Sequence, residues 1–157
     1  MVSLVSNPAL SFSHAVVDAS IAAKWVVRES DSPEAAALLR GWLVGGVQPI
    51  APTFLAIEVA NVLHRQARAG GLTRAEAEEA LRLVLATVTL RDAPDRDTVR
   101  ALQIADATGQ ATPYDALYLA LAERAGCEYW TADARFVGAT QRQFPRVKRL
   151  GGEEEAH

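Results

Sequence analysis

Residues 112–136 read TPYDALYLALAERAGCEYWTADARF. TPYDALYLALAERAG has the spacing of a helix, EYWTA that of a short strand, and DARFVGAT, which begins inside the stretch, that of a second, shorter helix. A helix, a strand and a helix in close succession are the repeating parts of an α/β fold, in which helices cover a mostly parallel sheet. Within YDALYLALA, Asp115 is the only charged residue. The helix around it is apolar on nearly every side, the pattern of a buried helix, so its carboxylate needs compensation. Asp133 follows directly on the strand.

Working outward, HAVVD (14–18) reads as a buried strand ending on Asp18, and SIAAKWVVRE as a helix with Ser20 as its N-cap. SPEAAALLRGWLVGG places Ser32 as N-cap, Pro33 at the first helical position and Gly45-Gly46 as the stop. QPIAP is a short strand. PTFLAIEVANVLHRQARAGG is a long helix from about Thr53, and TRAEAEEALRLVLATV opens with a capping box of Thr73 and Glu76. VTLRD, DRDTVRALQIADATG and RVKRL add a strand, a helix and a last strand. The alternation predicts a three-layer α/β/α architecture with a mostly parallel central sheet flanked by helices.

A chain of 157 residues is the size of one domain, taken here as 1–157 with a core over about 14–150 and frayed ends. Half the residues are apolar and 22% are charged, which is ordinary globular usage. A single cysteine, Cys127, excludes an intramolecular disulfide and fits a reducing compartment, so a cytoplasmic location is expected. No apolar run approaches the roughly 20 residues that span a bilayer, and the N-terminal residues lack the charged start of a secretory signal.

The net charge of -3 argues against strong non-specific binding to nucleic acid. Arg135, Arg142, Arg146, Lys148 and Arg149 nevertheless fall in a stretch with no acid after Asp133, before GGEEEAH restores the balance. That stretch is either a solvated face or a place to hold a polyanion.

Four acids stand in apolar company. Asp18 and Asp133 lie at the ends of strands, at the rim of the sheet where ligands of open α/β folds sit. Glu58 has Phe54, Leu55, Asn61 and Val62 as its nearest neighbours on the helix, so it lies on the apolar stripe. Asp115 is the fourth. Each has a structural alternative: Asp18 or Ser20 capping the helix that follows, Thr112 and Asp115 forming a capping box, Asp133 capping DARFVG, Glu58 pairing with Arg65 or another helix. Buried like charges raise one another's pKa, however, and the usual relief is a divalent cation. All four are oxygen donors, and no histidine has the spacing of a zinc site, so Mg²⁺ or Mn²⁺ is the matching ion.

These residues carry a resemblance. VVDAS, APTFLAIEVANVL, TPYDALYLALAE and WTADARF resemble the four acidic motifs of PIN-domain ribonucleases, especially the VapC-type toxins of bacterial toxin-antitoxin pairs, over about residues 14 to 150. The resemblance implies a PIN-like fold and a metal-dependent endoribonuclease. It places the catalytic, metal-binding acids at Asp18, Glu58, Asp115 and Asp133, with Ser20, Asn61 and Thr131 as polar neighbours. Lys24, Arg135 and Arg142 are the candidate substrate-binding cations. The implied partners are RNA, a cognate VapB-type antitoxin and a second copy of the chain, as a homodimer or a toxin-antitoxin hetero-oligomer. GWLVGG and LRLVLATV are the apolar segments available for such contacts, unless they pack in the core. The competing reading is a non-catalytic module on the same fold that uses its acids to hold a metal or a basic partner. Neither G-x-G-x-x-G nor G-x-x-x-x-G-K is present, and no acidic pair marks a phosphoryl-accepting aspartate.

Overall fold

The computed structural model describes residues 13–152. Its strands are β1 (His14–Val17), β2 (Gln48–Pro52), β3 (Thr89–Arg91), β4 (Glu128–Thr131) and β5 (Val147–Arg149). They form one sheet in the order β3-β2-β1-β4-β5, with every pairing parallel. The helices are α1 (Ala19–Ala22), α2 (Ser32–Gly45), α3 (Leu55–Arg68), α4 (Arg74–Thr87), α5 (Asp95–Ala107), α6 (Tyr114–Ala125) and α7 (Ala134–Thr140). This is the three-layer α/β/α, PIN-like arrangement that the alternation predicts.

A parallel sheet must be covered on both faces, and neighbouring side chains on β4 show how. Tyr129 points to one face and stacks on Tyr118 of α6, with ring centroids 5.6 Å apart and planes 7° apart. Trp130 points to the other and meets Trp42 of α2 edge-on at 6.3 Å. The strand period of two thus divides the core between α6, with α5 packed along it, and α2. Strand β1 is central, with β2 on one side and β4 on the other. The winding reverses between β1 and β4, and their carboxyl ends open the crevice where α/β folds bind ligands.

Three boundaries differ from the sequence expectation. The helix after β1 is one α-turn, continued as a 3₁₀ turn at Ala23–Trp25, because tertiary bonds take over. Trp25 donates its indole N–H to the Ala35 carbonyl at 3.1 Å, and the Ser32 hydroxyl donates to the Val27 carbonyl at 2.9 Å. Its N-cap is Asp18 rather than Ser20. That use of the Ser32 hydroxyl also means that Ser32 does not cap α2, whose N-cap position is Asp31. Finally, α6 starts at Tyr114 with Pro113 at its N-cap position, one residue too late for a Thr112–Asp115 capping box. The Thr73–Glu76 box at α4 is present, with both reciprocal hydrogen bonds made.

Candidate acidic active site

Parallel register places the ends of β1 and β4 side by side: Val17 pairs with Trp130, and the Asp18 N–H donates to the Trp130 carbonyl. Asp18 is only 5% exposed. Its Oδ1 accepts from the Ser20 N–H at 3.0 Å and the Ser20 hydroxyl at 2.5 Å, and its Oδ2 accepts from the Tyr129 hydroxyl at 2.8 Å. Ser20 Oγ accepts in turn from the Ala132 N–H at 2.9 Å and lies 3.4 Å from the Thr131 hydroxyl. Ser20 and the buried Thr131 therefore join the two strand ends. Burial pushes the Asp18 carboxyl above its ordinary range although the hydrogen bonds from Ser20, Thr131 and Tyr129 pull the other way.

The capping alternative is real for Asp18 and Asp133 together. Asp133 Oδ1 accepts from the Arg135 and Phe136 N–H groups at 2.9 and 3.1 Å, capping α7. Asp133 itself is exposed, and its N–H donates to Thr131 Oγ1. For Glu58 the bond to another helix is made, through Tyr118 of α6, whereas the capping box proposed for Asp115 does not form. Glu58 forms no ion pair with Arg65 among the described residues; its Oε1 accepts from the Tyr118 hydroxyl at 2.6 Å. Asp115 accepts no side-chain or capping hydrogen bond among the described residues.

The acids feel one another. The Glu58 carboxyl is pushed up by burial and by the charges of Asp18 and Asp115, against the Tyr118 hydrogen bond. Asp115 is raised from 3.8 to about 6 by burial and by the charges of Asp18 and Asp133. All four carboxylates thus share one field, and among the described residues none of them pairs with a lysine or arginine. Hard oxygen donors whose charged forms are disfavoured match a hard divalent cation. Among the described residues, no group of three His, Cys, Asp or Glu side chains is already gathered into a metal-holding set. Mg²⁺ keeps several waters and needs only one or two direct carboxylates, so the arrangement fits an ion held partly through water.

Tyr118 and Tyr129 are the site residues that sequence reasoning missed. Stacked on each other, they donate to Glu58 and Asp18 respectively. The signal was present: a buried tyrosine needs an acceptor for its hydroxyl, and the acids are the acceptors in this apolar neighbourhood. Burial and the adjacent carboxylate charges drive both phenols well above their ordinary pKa, which leaves them as fixed donors.

The remaining expected residues are spread around this centre. Asn61 is exposed one turn beyond Glu58 and lines a cleft of ≈ 490 Å³ together with Phe54, Ile57, Glu58, Thr112, Tyr114 and Asp115. Lys24 is 13% exposed and its amino group pairs with Glu29 and, at 3.0 Å, with Asp31, tying the turn after α1 to the start of α2. Arg135 and Arg142 are exposed and form no ion pair among the described residues. The basic stretch is divided, because Arg146 donates to the carbonyls of Ala122 and Cys127 and so acts inside the fold.

The PIN domain family model matches residues 15–140. No curated protein matches the chain. PAE2754 from Pyrobaculum aerophilum has a similar structure, with a TM-score of 0.64 and 22% identity over 88% of this chain and 91% of that one. A toxin-antitoxin complex from Klebsiella pneumoniae contains another, with a TM-score of 0.63 and 19% identity over 87% of this chain and 97% of that one. The two structures share the fold, and the family match spans β1 through α7, with all four acids inside it: the chain belongs to the PIN-domain family.

Proposed function

We propose that this protein is a Mg²⁺- or Mn²⁺-dependent endoribonuclease that acts as a toxin in the cytoplasm and is restrained by a cognate VapB-type antitoxin. The observation that carries the reading is the set of four carboxylates sharing one field at the β1–β4 crevice, one of which, Asp115, has no capping or hydrogen-bonding role among the described residues. Membership of the family and the likeness to a chain of a toxin-antitoxin complex support it. Leu43, Val44, Leu83 and Leu85 are exposed, so GWLVGG and LRLVLATV offer surface for an antitoxin or a second copy. No helix of the described residues is long and apolar enough to cross a membrane.

When bound, the divalent cation would shield the phosphate charge and acidify a water. Asp18, Glu58, Asp115 and Asp133 would hold it, directly or through water. Ser20, Tyr129 and Tyr118 fix the Asp18 and Glu58 carboxylates so that they do not reorganise during the reaction. Asp115, which accepts no side-chain or capping hydrogen bond among the described residues, keeps lone pairs available to accept the proton of the attacking water. The water oxygen bonds to phosphorus, the bond from phosphorus to the 3′ oxygen breaks, and that oxygen takes a proton from solvent. Arg135 and Arg142 stand on the exposed side with charge available for the RNA backbone; Lys24, paired with two acids, contributes less than the sequence suggests.

The test is brief expression followed by sequencing of cellular RNA 5′ ends, with purified protein assayed alongside in Mg²⁺ and in chelator. Discrete new ends that vanish in Asp18→Asn and in chelator are expected. A purified chain that binds Mn²⁺ but cuts no RNA would instead support the non-catalytic module.

A further inference from the structure

The cleft that holds Glu58 and Asp115 is also lined by residues to which the cleavage step assigns no role. Glu58 and Asp115 form its acidic side, and among the described residues no lysine or arginine lines it. The phosphate is assigned to the cation at those carboxylates, which leaves the rest of the cleft to a neutral part of the substrate. Its other side is apolar, formed by Phe54, Ile57 and Tyr114. Tyr114 is 62% exposed and Ile57 68% exposed, so both present apolar surface at the cleft. Phe54 supports Tyr114 at 5.8 Å between ring centroids, and itself rests on Tyr118 at 5.2 Å. The aromatic series thus runs from the stacked pair under the carboxylates to an open ring at the surface. Asn61 and Thr112 add an amide and a hydroxyl at the same cleft.

A flat aromatic face with an amide and a hydroxyl nearby is the equipment for holding an unpaired nucleobase by stacking and edge hydrogen bonds. Because Tyr114 precedes Asp115 directly, a base stacked there belongs to a nucleotide next to the phosphate at the acids. We infer that Tyr114, backed by Phe54 and flanked by Ile57, is a base platform that takes one splayed nucleobase of single-stranded RNA adjoining the scissile phosphate, with Asn61 and Thr112 reading its edge. The inference rests on the ribonuclease reading for its substrate and goes beyond it by assigning the contact with one base to Tyr114, Ile57, Asn61 and Thr112.

The experiment measures binding of fluorescein-labelled single-stranded RNA and of a duplex of the same sequence by anisotropy. It uses the Asp18→Asn background with Mg²⁺, where the strand stays intact, and compares Tyr114→Ala, Tyr114→Trp and Ile57→Ser. Loss of one stacked base should weaken single-strand binding about 10-fold in Tyr114→Ala, Tyr114→Trp should restore it, and duplex binding should not change. Ile57→Ser should weaken single-strand binding in the same sense, independently of any folding defect in the Tyr114 variants. In the cleaving protein, Tyr114→Ala should raise KM more than it lowers kcat and relax the base preference at the cut site. Unchanged single-strand binding in both Tyr114→Ala and Ile57→Ser, or equal losses on single strand and duplex, would overturn the platform and leave the surface to a protein partner. If the parent protein cuts no RNA yet single-strand binding depends on Tyr114, the nuclease reading fails and the platform stands. If it cuts RNA with Tyr114→Ala indistinguishable from the parent, the platform alone fails.

Discussion

Asp18 does two things at once: it caps α1 and it places a carboxylate at the crevice. The two roles separate by substitution. Asp18→Asn keeps an acceptor for the Ser20 N–H and removes a charge that burial disfavours, so its metal-free melting temperature should equal or exceed that of the parent, with cleavage abolished. Asp18→Ala loses the cap as well and should cost about 1 kcal/mol or more in denaturant unfolding. An Asn variant as unstable as the Ala variant would show that the site is only a cap. Asp115 makes a prediction in pH. Its pKa is about 6 in the folded protein against an ordinary 3.8, so between those values the folded state keeps a proton that the unfolded chain has released. Its contribution to metal-free stability is therefore largest below pH 3.8 and is lost as pH rises through about 6. In chelator, the melting temperature of Asp115→Asn relative to the parent should rise between about pH 4 and pH 7; a constant difference would contradict the assignment. Asp18 and Asp115 were legible in the sequence because a lone carboxylate in an apolar run has few explanations. Tyr118 and Tyr129 were not singled out, because an aromatic in a buried helix or strand reads first as core.

Among the elements, local chemistry was legible wherever it acts alone. The Thr73–Glu76 spacing predicts a capping box and the box forms, so Thr73→Ala should cost about 1 kcal/mol with activity retained below the melting transition. Thr112 carries the same kind of signal yet lies outside α6, exposed. Thr112→Ala should leave the melting temperature within experimental error, and a loss comparable to that of Thr73→Ala would put the helix start back at Thr112. Tertiary bonds explain the other shifted boundaries, where Trp25 and Ser32 reach across the turn to carbonyls that no periodicity reveals. The joint between α5 and α6 is likewise invisible in sequence. Arg124 donates to Asp97 at 2.8 Å with Asp97 only 5% exposed, whereas Arg100 pairs with Glu123 nearer solvent. Arg124→Ala strands a buried carboxylate and should cost about 3 kcal/mol, against about 1 kcal/mol or less for Arg100→Ala. Equal losses in urea unfolding would mean that the pair at Asp97 is solvated.

For the molecule as a whole, the alternation of helices and strands was sufficient for the α/β class, and the QPIAP strand lies where the sequence places it. The all-parallel order β3-β2-β1-β4-β5 was beyond reach, because strand neighbours depend on which helix covers which face, as Tyr129 and Trp130 decide here. That order explains why acids far apart in the chain meet: β1 and β4 end together at the reversal of winding, and α3 and α6 bring Glu58 and Asp115 to the same rim. The central claim is that these four carboxylates act as one cation site. It is tested most directly by calorimetric titration of Mn²⁺ into the parent and into Asp18→Asn, Glu58→Gln, Asp115→Asn and Asp133→Asn. Saturable binding to the parent is expected, with a loss of affinity in Asp18→Asn and Asp115→Asn of about tenfold or more and smaller losses wherever a carboxylate acts through water. Binding of equal strength in the parent and in all four variants would contradict it.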